Sequence, residues 1–466
     1  MSPLFVVALA LLAWEIGVRR GLLGGLRLPV RRFAPGVVVG AAVVLVGAFA
    51  AQIGLSDQQA VHDGIRPAWF AVTPYHFVDD AYPFGPSHAT YSFVALSLAI
   101  AQTAGLFVLA CAASQAGSTG EEPSAFGTFS RVVPLATACA LGALAVVAPV
   151  VTSGDVFGYV GLGMLGAHPF ARPEGFFHGQ YAQVFANYPI RPTIYGPVWS
   201  AVNAGIVALG TTLAGKIVAL RLFGIVLLAT LVALARALGA GRAVQYAIAL
   251  NPMLWFQFVT NAHNDLLAIV LVVGALVAIE RRFLWIAIAL VAAAGAVKLP
   301  FLAIGIVVFA RCRDRRAAIA AAAGAVALAI AISAVFGGHP YFEALLATGT
   351  GRVARAPDLV VLRILIGLLA LCTTAVALLF RRFSGFAAWL YPGLAPLLFP
   401  WYLAWTLPYV FAAGAGMLET LLALPIAATL VDTIYGFDLI ARGFALAALA
   451  FAVAALLRRR AEVAAA

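Results

Sequence analysis

The chain has 466 residues, of which 64% are hydrophobic and only 10% are charged, and its formal net charge is +11. Its mean hydropathy of +1.02 excludes a soluble globular protein. Apolar runs of roughly twenty residues recur along the chain, and each is long enough to cross a bilayer as a helix. We therefore predict an all-α polytopic membrane protein, because the continuous runs do not alternate as the strands of a membrane barrel would.

The basic residues fall mainly in short links between the apolar runs. This pattern is typical of cytoplasmic links in the cytoplasmic (inner) membrane, so the positive charge does not indicate nucleic-acid binding. The links predict about thirteen crossings in a single transmembrane domain that covers residues 1–466. The apolar segment 197–212 is the exception. A full crossing there would reverse the sidedness of everything after it, so we predict that it does not cross.

In chain order, an apolar run at 2–18 is followed by helices predicted near 34–54, 90–114 and 132–151. The link at 55–88 is expected outside the cell and contains Asp79 and Asp80. We interpret these acids as solvated, although an adjacent pair could bind a divalent metal. The four cysteines are scattered and indicate neither a disulfide framework nor a metal site.

A polar, aromatic-rich loop at 152–196 is predicted on the extracytoplasmic face, with one interfacial helix near 156–166. Asp155 stands where the preceding apolar run ends. It is interpreted either as a solvated acid or helix cap, or as a general base, which needs partial burial and a nearby cation. The further substrate-binding candidates in this loop are Tyr159, Arg191 and Tyr195.

The turn Asn261-Ala262-His263-Asn264-Asp265 is a second polar segment, and it lies just before another apolar run. Its four hydrogen-bonding side chains suit the recognition of a polyhydroxylated group, which makes all four of them substrate-binding candidates. In the alternative interpretation, Asn264 or Asp265 only caps the helix that follows, and His263 is incidental.

A lysine stands between two apolar runs in Val297-Lys298-Leu299-Pro300. An ammonium group there is costly unless it is paired, so it marks a ligand or ion pathway or else snorkels to the headgroups. Pro300 is expected to break the helix. We interpret Lys298 as a phosphate-binding cation, and the further candidates for that role are Arg191, Arg221, Arg352 and Arg355.

A cluster of aromatic rings follows Pro400 and consists of Trp401, Tyr402 and Trp405. The favoured interpretation is an aromatic belt at the membrane interface. In the alternative, Trp401 and Tyr402 bind substrate, because such rings stack on sugar faces or pack against a polyprenyl chain.

Taken in order, these motifs resemble the bacterial polyprenyl-phosphate-mannose-dependent mannosyltransferases of the C-class glycosyltransferase superfamily (GT-C). The resemblance spans about 150–410 and rests on Ser153-Gly-Asp155-Val-Phe-Gly-Tyr159, His168-Pro-Phe170, Tyr195-Gly-Pro197, Asn251-Pro252, Asn261-Ala-His-Asn-Asp265, Val297-Lys-Leu-Pro300 and Pro400-Trp-Tyr-Leu-Ala-Trp-Thr-Leu-Pro408. The family usually has Asn-Pro-Tyr where this chain has His168-Pro-Phe170.

The resemblance implies an inverting enzyme that takes a sugar, with mannose expected, from a polyprenyl phosphate donor. The acceptor would be a lipid-linked or cell-envelope glycan outside the cytoplasm. By position, Asp155 would be the catalytic base, the Asn261–Asp265 turn would line the sugar site, and Lys298 would hold the carrier phosphate. Since a phosphate already leaves well, no metal or other cofactor is strictly required.

Two other classes of function are also compatible with the sequence. A transporter or lipid flippase would also contain intramembrane polar residues and broken helices. Against it stand the missing repeat symmetry and the concentration of polar residues in external loops. A non-catalytic partner of a glycan synthase is the other alternative, and it predicts that Asp155→Asn leaves function intact.

Overall fold

The computed structural model describes residues 33–62, 88–115, 125–150, 153, 155–166, 177–178, 181, 193–353, 357–381, 383, 385–395 and 399–433. Every regular element within these ranges is a helix, as predicted. The α-helices of the first half are α1 (Pro35–His62), α2 (His88–Gln115), α3 (Ala125–Val147), α4 (Asp155–Met164), α5 (Pro197–Ala208), α6 (Leu213–Ala237), α7 (Arg242–Ala249) and α8 (Pro252–Trp255).

The α-helices of the second half are α9 (Asp265–Glu280), α10 (Leu284–Val297), α11 (Pro300–Ile306), α12 (Arg315–Ile332), α13 (Gly338–Val353), α14 (Pro357–Phe380), α15 (Thr406–Ala413) and α16 (Met417–Thr433). Short π-helical turns at Phe256–Thr260 and Ser333–Gly337 and 3-10 helices at Val307–Arg311, Gly385–Leu394 and Pro400–Trp405 connect them.

Within the described part of the chain, four helical stretches are long and apolar enough to cross a membrane: Pro35–Leu55, Phe93–Ser114, Leu213–Ala237 and Arg315–Ala347. Six shorter apolar helices accompany them, and α5 is one of these. The prediction of a multi-pass helical membrane protein is therefore confirmed. The count of about thirteen crossings, the sidedness of the links and the non-crossing role of 197–212 stay predictions.

The predicted helix boundaries in the first half need small corrections. The first described helix, α1, continues to His62, eight residues beyond the expected end, and α3 begins at Ala125 instead of 132. The helix predicted in the loop is present as α4, and its position at the membrane interface stays a prediction. Most of the remaining loop, together with Asp79 and Asp80, lies outside the described residues. The four cysteines are free thiols in the structure.

Two close backbone contacts bring the elements of the site together. A Cβ atom at Gly196 would overlap the carbonyl group of Ala296, and the Gly196 N–H donates to the carbonyl of Val297 at 3.0 Å. The residues before α5 therefore lie directly on the end of α10. Helix α10 ends there because Pro300 cannot continue it, and Lys298 adopts an extended backbone between α10 and α11.

The link between α8 and α9 has an irregular backbone. It consists of the π-helical turn and then Asn261–Asn264, within which Ala262 has a positive φ of 52°. A non-glycine residue in this region stores strain, and both π-turns and such strain occur often at functional sites. The surrounding packing compensates for it, since every residue from Phe256 to Asp265 is buried.

Candidate active site

Asp155 is the first residue of α4, and the Ser153 hydroxyl accepts a hydrogen bond from its backbone N–H at 3.2 Å. Its side chain is 29% exposed, and Oδ2 lies 3.5 Å from Nδ1 of His263. The position at a helix start stabilises the ionised carboxylate. Asp155 is thus a carboxylate that is partly accessible and touches the buried turn before α9.

His263 is enclosed between this carboxylate and an indole ring. Its imidazole stacks on Trp401 with a centroid distance of 3.8 Å and an interplanar angle of 19°. Burial first, and the charge of Lys298 second, hold the pKa of His263 well below its ordinary value of 6.5, so the ring is neutral and its contact with Asp155 is not an ion pair. Neither ring nitrogen has a hydrogen-bond partner among the described residues.

Asp265 and Lys298 form a buried ion pair in which Nζ lies 2.8 Å from Oδ1. Trp405 Nε1 donates to the same oxygen at 2.8 Å. The ammonium also faces the rings of Tyr402 at 4.5 Å, Trp405 at 5.5 Å and Tyr195 at 5.6 Å. Burial is the largest single influence and lowers the pKa of Lys298, but Asp265, Tyr402 and Asp155 together outweigh it and leave that pKa above its ordinary value. Lys298 is therefore charged, paired and held in one place.

Tyr159 connects α4 to the turn before α9. Its hydroxyl donates to Tyr195 Oη at 3.3 Å or to Asn264 Oδ1 at 3.5 Å, and its backbone carbonyl accepts from Asn203 Nδ2 at 2.8 Å. The buried Tyr159 thus joins Asn264 to Tyr195, whose ring lies 5.6 Å from the Lys298 ammonium.

The capping interpretation of the turn is wrong for both candidate residues. Asn264 is the N-cap of α9 by position, but its side chain makes no cap hydrogen bond. The Asp265 carboxylate binds Lys298 and Trp405. Asn264 Nδ2 and Asp265 Oδ2 have no hydrogen-bond partner in the described chain, so this turn keeps a donor and an acceptor that a ligand can use.

The belt interpretation of the aromatic cluster is also wrong. Trp401, Tyr402 and Trp405 lie on the 3-10 helix Pro400–Trp405 and are all buried, whereas belt residues would face the headgroups. The three rings instead cover His263, Lys298 and Asp265 in turn. They form an aromatic wall of the candidate site.

Most of the predicted site residues therefore lie together. Nine of them form the cluster just described: Asp155, Tyr159, Tyr195, His263, Asn264, Asp265, Lys298, Trp401 and Tyr402. Asn261 lies in the same turn, and its Nδ2 donates to Gln257 Oε1 at 3.3 Å. Arg191 and Arg355 lie outside the described residues, as does the side chain of Arg352.

Sequence reasoning missed one member of the cluster and misassigned another residue. Trp405 was not predicted to belong to the site, although its spacing of four from Trp401 was an available signal. Arg221 was a candidate phosphate ligand, but its guanidinium is fully buried and donates to four backbone carbonyls. Among the described residues, no group of three His, Cys, Asp or Glu side chains is arranged to hold a metal ion.

These features define a multi-pass helical membrane protein with a charged, aromatic-walled site at the ends of its helices. The family model of the alpha-(1->6)-mannopyranosyltransferases (MptA/B family, N-terminal domain) matches residues 38–313, which is more than half of the chain. The chain belongs to this family and is a glycosyltransferase that acts on mannose, so the resemblance seen in its motifs is confirmed.

The matched residues include Asp155, the Asn261–Asp265 turn and Lys298, but they end before the aromatic wall. No match was found among the curated proteins or the solved structures.

Proposed function

We propose that the protein transfers mannose from a polyprenyl phosphate carrier to a hydroxyl group of a lipid-linked or cell-envelope glycan, with inversion at the anomeric carbon. The reaction would occur at the extracytoplasmic face of the cytoplasmic membrane. The observation that carries the proposal is the placement of a partly exposed carboxylate, Asp155, beside a buried cluster that contains a fixed cation, Lys298. Family membership supports mannose as the sugar.

In the proposed reaction, Asp155 acts as the general base. Its carboxylate takes the proton from the acceptor hydroxyl while that oxygen bonds to the anomeric carbon. The bond between this carbon and the phosphate oxygen breaks, and its electron pair leaves with the polyprenyl phosphate. Lys298 stabilises the departing phosphate: its ammonium has three donors, and the pairing with Asp265 Oδ1 occupies one of them.

The surroundings of the base suit this role. His263 is neutral and therefore does not neutralise Asp155, and the partial exposure of Asp155 leaves the carboxylate accessible to an acceptor. The donor and acceptor atoms of Asn264 and Asp265 that lack partners within the described chain supply hydrogen bonds for sugar hydroxyls. Asp265 itself is a poor base, because it is fully buried and Oδ1 accepts from both Lys298 and Trp405.

The test is transfer of radiolabelled mannose from polyprenyl-phosphate-mannose to membrane lipids by the native protein and by Asp155→Asn at equal expression. We expect the native protein to transfer mannose and Asp155→Asn to lose about 10²–10⁴-fold in turnover. The matched control is Asp314→Asn at the N-cap of α12, since asparagine caps a helix as well as aspartate.

Equal transfer by the native protein and Asp155→Asn would reject Asp155 as the base. No transfer by the native protein from mannose, arabinose, glucose or galactose carriers would reject the polyprenyl phosphate donor.

A further inference from the structure

Arg221 lies in the middle of α6 with no exposed surface. Its Nε donates to the carbonyl of Thr260 at 2.9 Å. Nη1 donates to the carbonyls of Val146 at 2.8 Å and Ala148 at 2.5 Å, and Nη2 donates to that of Pro149 at 3.2 Å. A buried guanidinium is costly unless it is well bonded, and these four carbonyls provide that bonding.

The four carbonyls belong to the two segments that lead into the candidate site. Val146, Ala148 and Pro149 lie at the end of α3, and the chain reaches Asp155 six residues after Pro149. Thr260 ends the π-helical turn three residues before His263. Helix ends leave carbonyls without partners inside the helix and favour a cation. Arg221 therefore links the backbone that precedes Asp155 to the backbone that precedes His263.

Gly224, three residues further along α6, makes this arrangement possible. A Cβ atom there would overlap the carbonyl group of Phe258 and press on Val259. Helix α6 thus contacts the π-helical turn directly at a glycine, at the point where Arg221 reaches Thr260. The close packing at Gly224 places the π-helical turn against α6, and the guanidinium bonds independently join both segments to this helix.

We propose that Arg221 is a positioning residue that holds the Asp155 segment against the Asn261–Asp265 turn and so sets the distance between the base and the rest of the site. It does not contact substrate in this role, because its donors bind the backbone. The expected effect on kcat rests on the proposed transfer reaction. The joining of the two segments by Arg221 does not, since it is a structural property of the native protein.

The experiment compares Arg221→Lys, Arg221→Met and Gly224→Ala with the native full-length protein in detergent or nanodiscs. Arg236→Met is the matched control, because Arg236 is an exposed arginine on the same helix. The readouts are kcat and donor KM for mannose transfer, together with hydrogen exchange of peptides covering 144–160, 215–237 and 255–265.

We expect kcat of Arg221→Met to fall by about tenfold or more while donor KM changes by less than about threefold, because misplacing a reacting group costs turnover rather than binding. Arg221→Lys retains the positive charge but not the planar guanidinium with its several donors. Its kcat is therefore expected to lie between that of Arg221→Met and that of the native protein. Exchange is expected to rise in the peptides 144–160 and 255–265 and to stay unchanged in the α6 peptide 215–237.

The proposal is overturned if kcat in the Arg221 variants equals that of Arg236→Met, or if exchange rises equally throughout α6. If Arg221→Met does not fold, the same measurements are made on Arg221→Lys and Gly224→Ala. A kcat equal to that of the native protein in both variants would reject the positioning role. If the native protein transfers mannose from no carrier, the proposed function fails, and hydrogen exchange alone decides whether Arg221 joins the two segments.

Discussion

Asp155 and Asp265 both stand at the first position of an α-helix, and both follow a polar turn in an otherwise apolar sequence. Their surroundings differ sharply. Asp155 is 29% exposed and touches a neutral imidazole, whereas Asp265 is fully buried and binds an ammonium and an indole N–H. The two carboxylates share a local position but not an environment.

This difference separates the chemistry of the two acids. A partly exposed carboxylate next to a neutral ring can accept a proton from an incoming hydroxyl. The main effect of a buried carboxylate that is already bonded to a cation and an indole N–H is to fix that cation. We therefore expect Asp155 to matter for turnover and Asp265 to matter for stability, and the following predictions test that division.

The largest stability effect is expected from breaking the buried pair. Lys298→Met leaves the Asp265 carboxylate buried without its cation, which should lower the free energy of unfolding by about 3–5 kcal/mol. Asp155→Asn should change it by less than about 0.5 kcal/mol, because its side chain is 29% exposed and the amide keeps the shape of the carboxylate. Thermal unfolding of the purified protein in detergent measures both.

The control for this comparison is Arg311→Met, which breaks an exposed pair with Glu280 in which the side chains are 43% and 48% exposed. Such a pair contributes about 0–1 kcal/mol. If Lys298→Met destabilises no more than Arg311→Met, Asp265 is not dependent on its cation, and the contrast between the two carboxylates disappears.

A smaller effect is expected from the second donor to Asp265. Trp405→Phe keeps the ring in the aromatic wall but removes the indole N–H, and the lost hydrogen bond should cost about 1–3 kcal/mol. The same substitution at Trp285, whose side chain is exposed, should have little effect. Equal melting temperatures for the two variants would show that Trp405 packs against Asp265 without stabilising its charge.

The smallest effect is a pH dependence of stability that arises from His263, the neighbour of Asp155. Because the folded-state pKa of His263 lies below 6.5, the unfolded chain binds a proton below that pH and the folded chain does not. Stability is thus fully present above about pH 6.5 and falls as the pH drops, by at most about 1.4 kcal/mol per pH unit. Melting temperatures at about pH 7.5 and pH 5.5 measure this loss.

In His263→Phe, which retains a ring to stack on Trp401, the difference between the two pH values should shrink. His339→Phe replaces an exposed histidine and should leave the difference as it is in the native protein. A native protein whose stability does not change between the two pH values would mean that His263 binds protons equally in the folded and unfolded chains, so that its pKa is not lowered by burial. A stability that rises as the pH drops would instead indicate a protonated His263 in an ion pair with Asp155.

Much of the fold was predictable because it depends on local properties. Apolar runs of membrane length predict helices wherever they occur, and Pro300 predicts the break that leaves Lys298 in an extended backbone. Asp155 at a helix start follows from the end of the preceding apolar run. The boundary errors at His62 and Ala125 arose where polar residues extend an apolar helix, since the hydropathy signal ends before the helix does.

The site was predictable as a set of residues but not as a set of contacts. The capping interpretation of Asp265 was reasonable from local sequence alone, and it failed because Lys298, 33 positions away, provides a stronger partner. The belt interpretation of Trp401 failed for a similar reason, as the ring lies on His263. Arg221 could be seen as a charge within an apolar run, but the carbonyls that bind it belong to distant helix ends.

The sequence by itself determined that this is a helical membrane protein, where many of its helices lie, and that it belongs to a mannosyltransferase family. These properties follow from hydropathy, helix-breaking residues and ordered motifs, which are readable along the chain. Only the tertiary structure decided that Asp265 pairs with Lys298, which ring covers which side chain, and what Arg221 binds. Those outcomes depend on burial and on contacts between segments remote in sequence, and no local pattern encodes them.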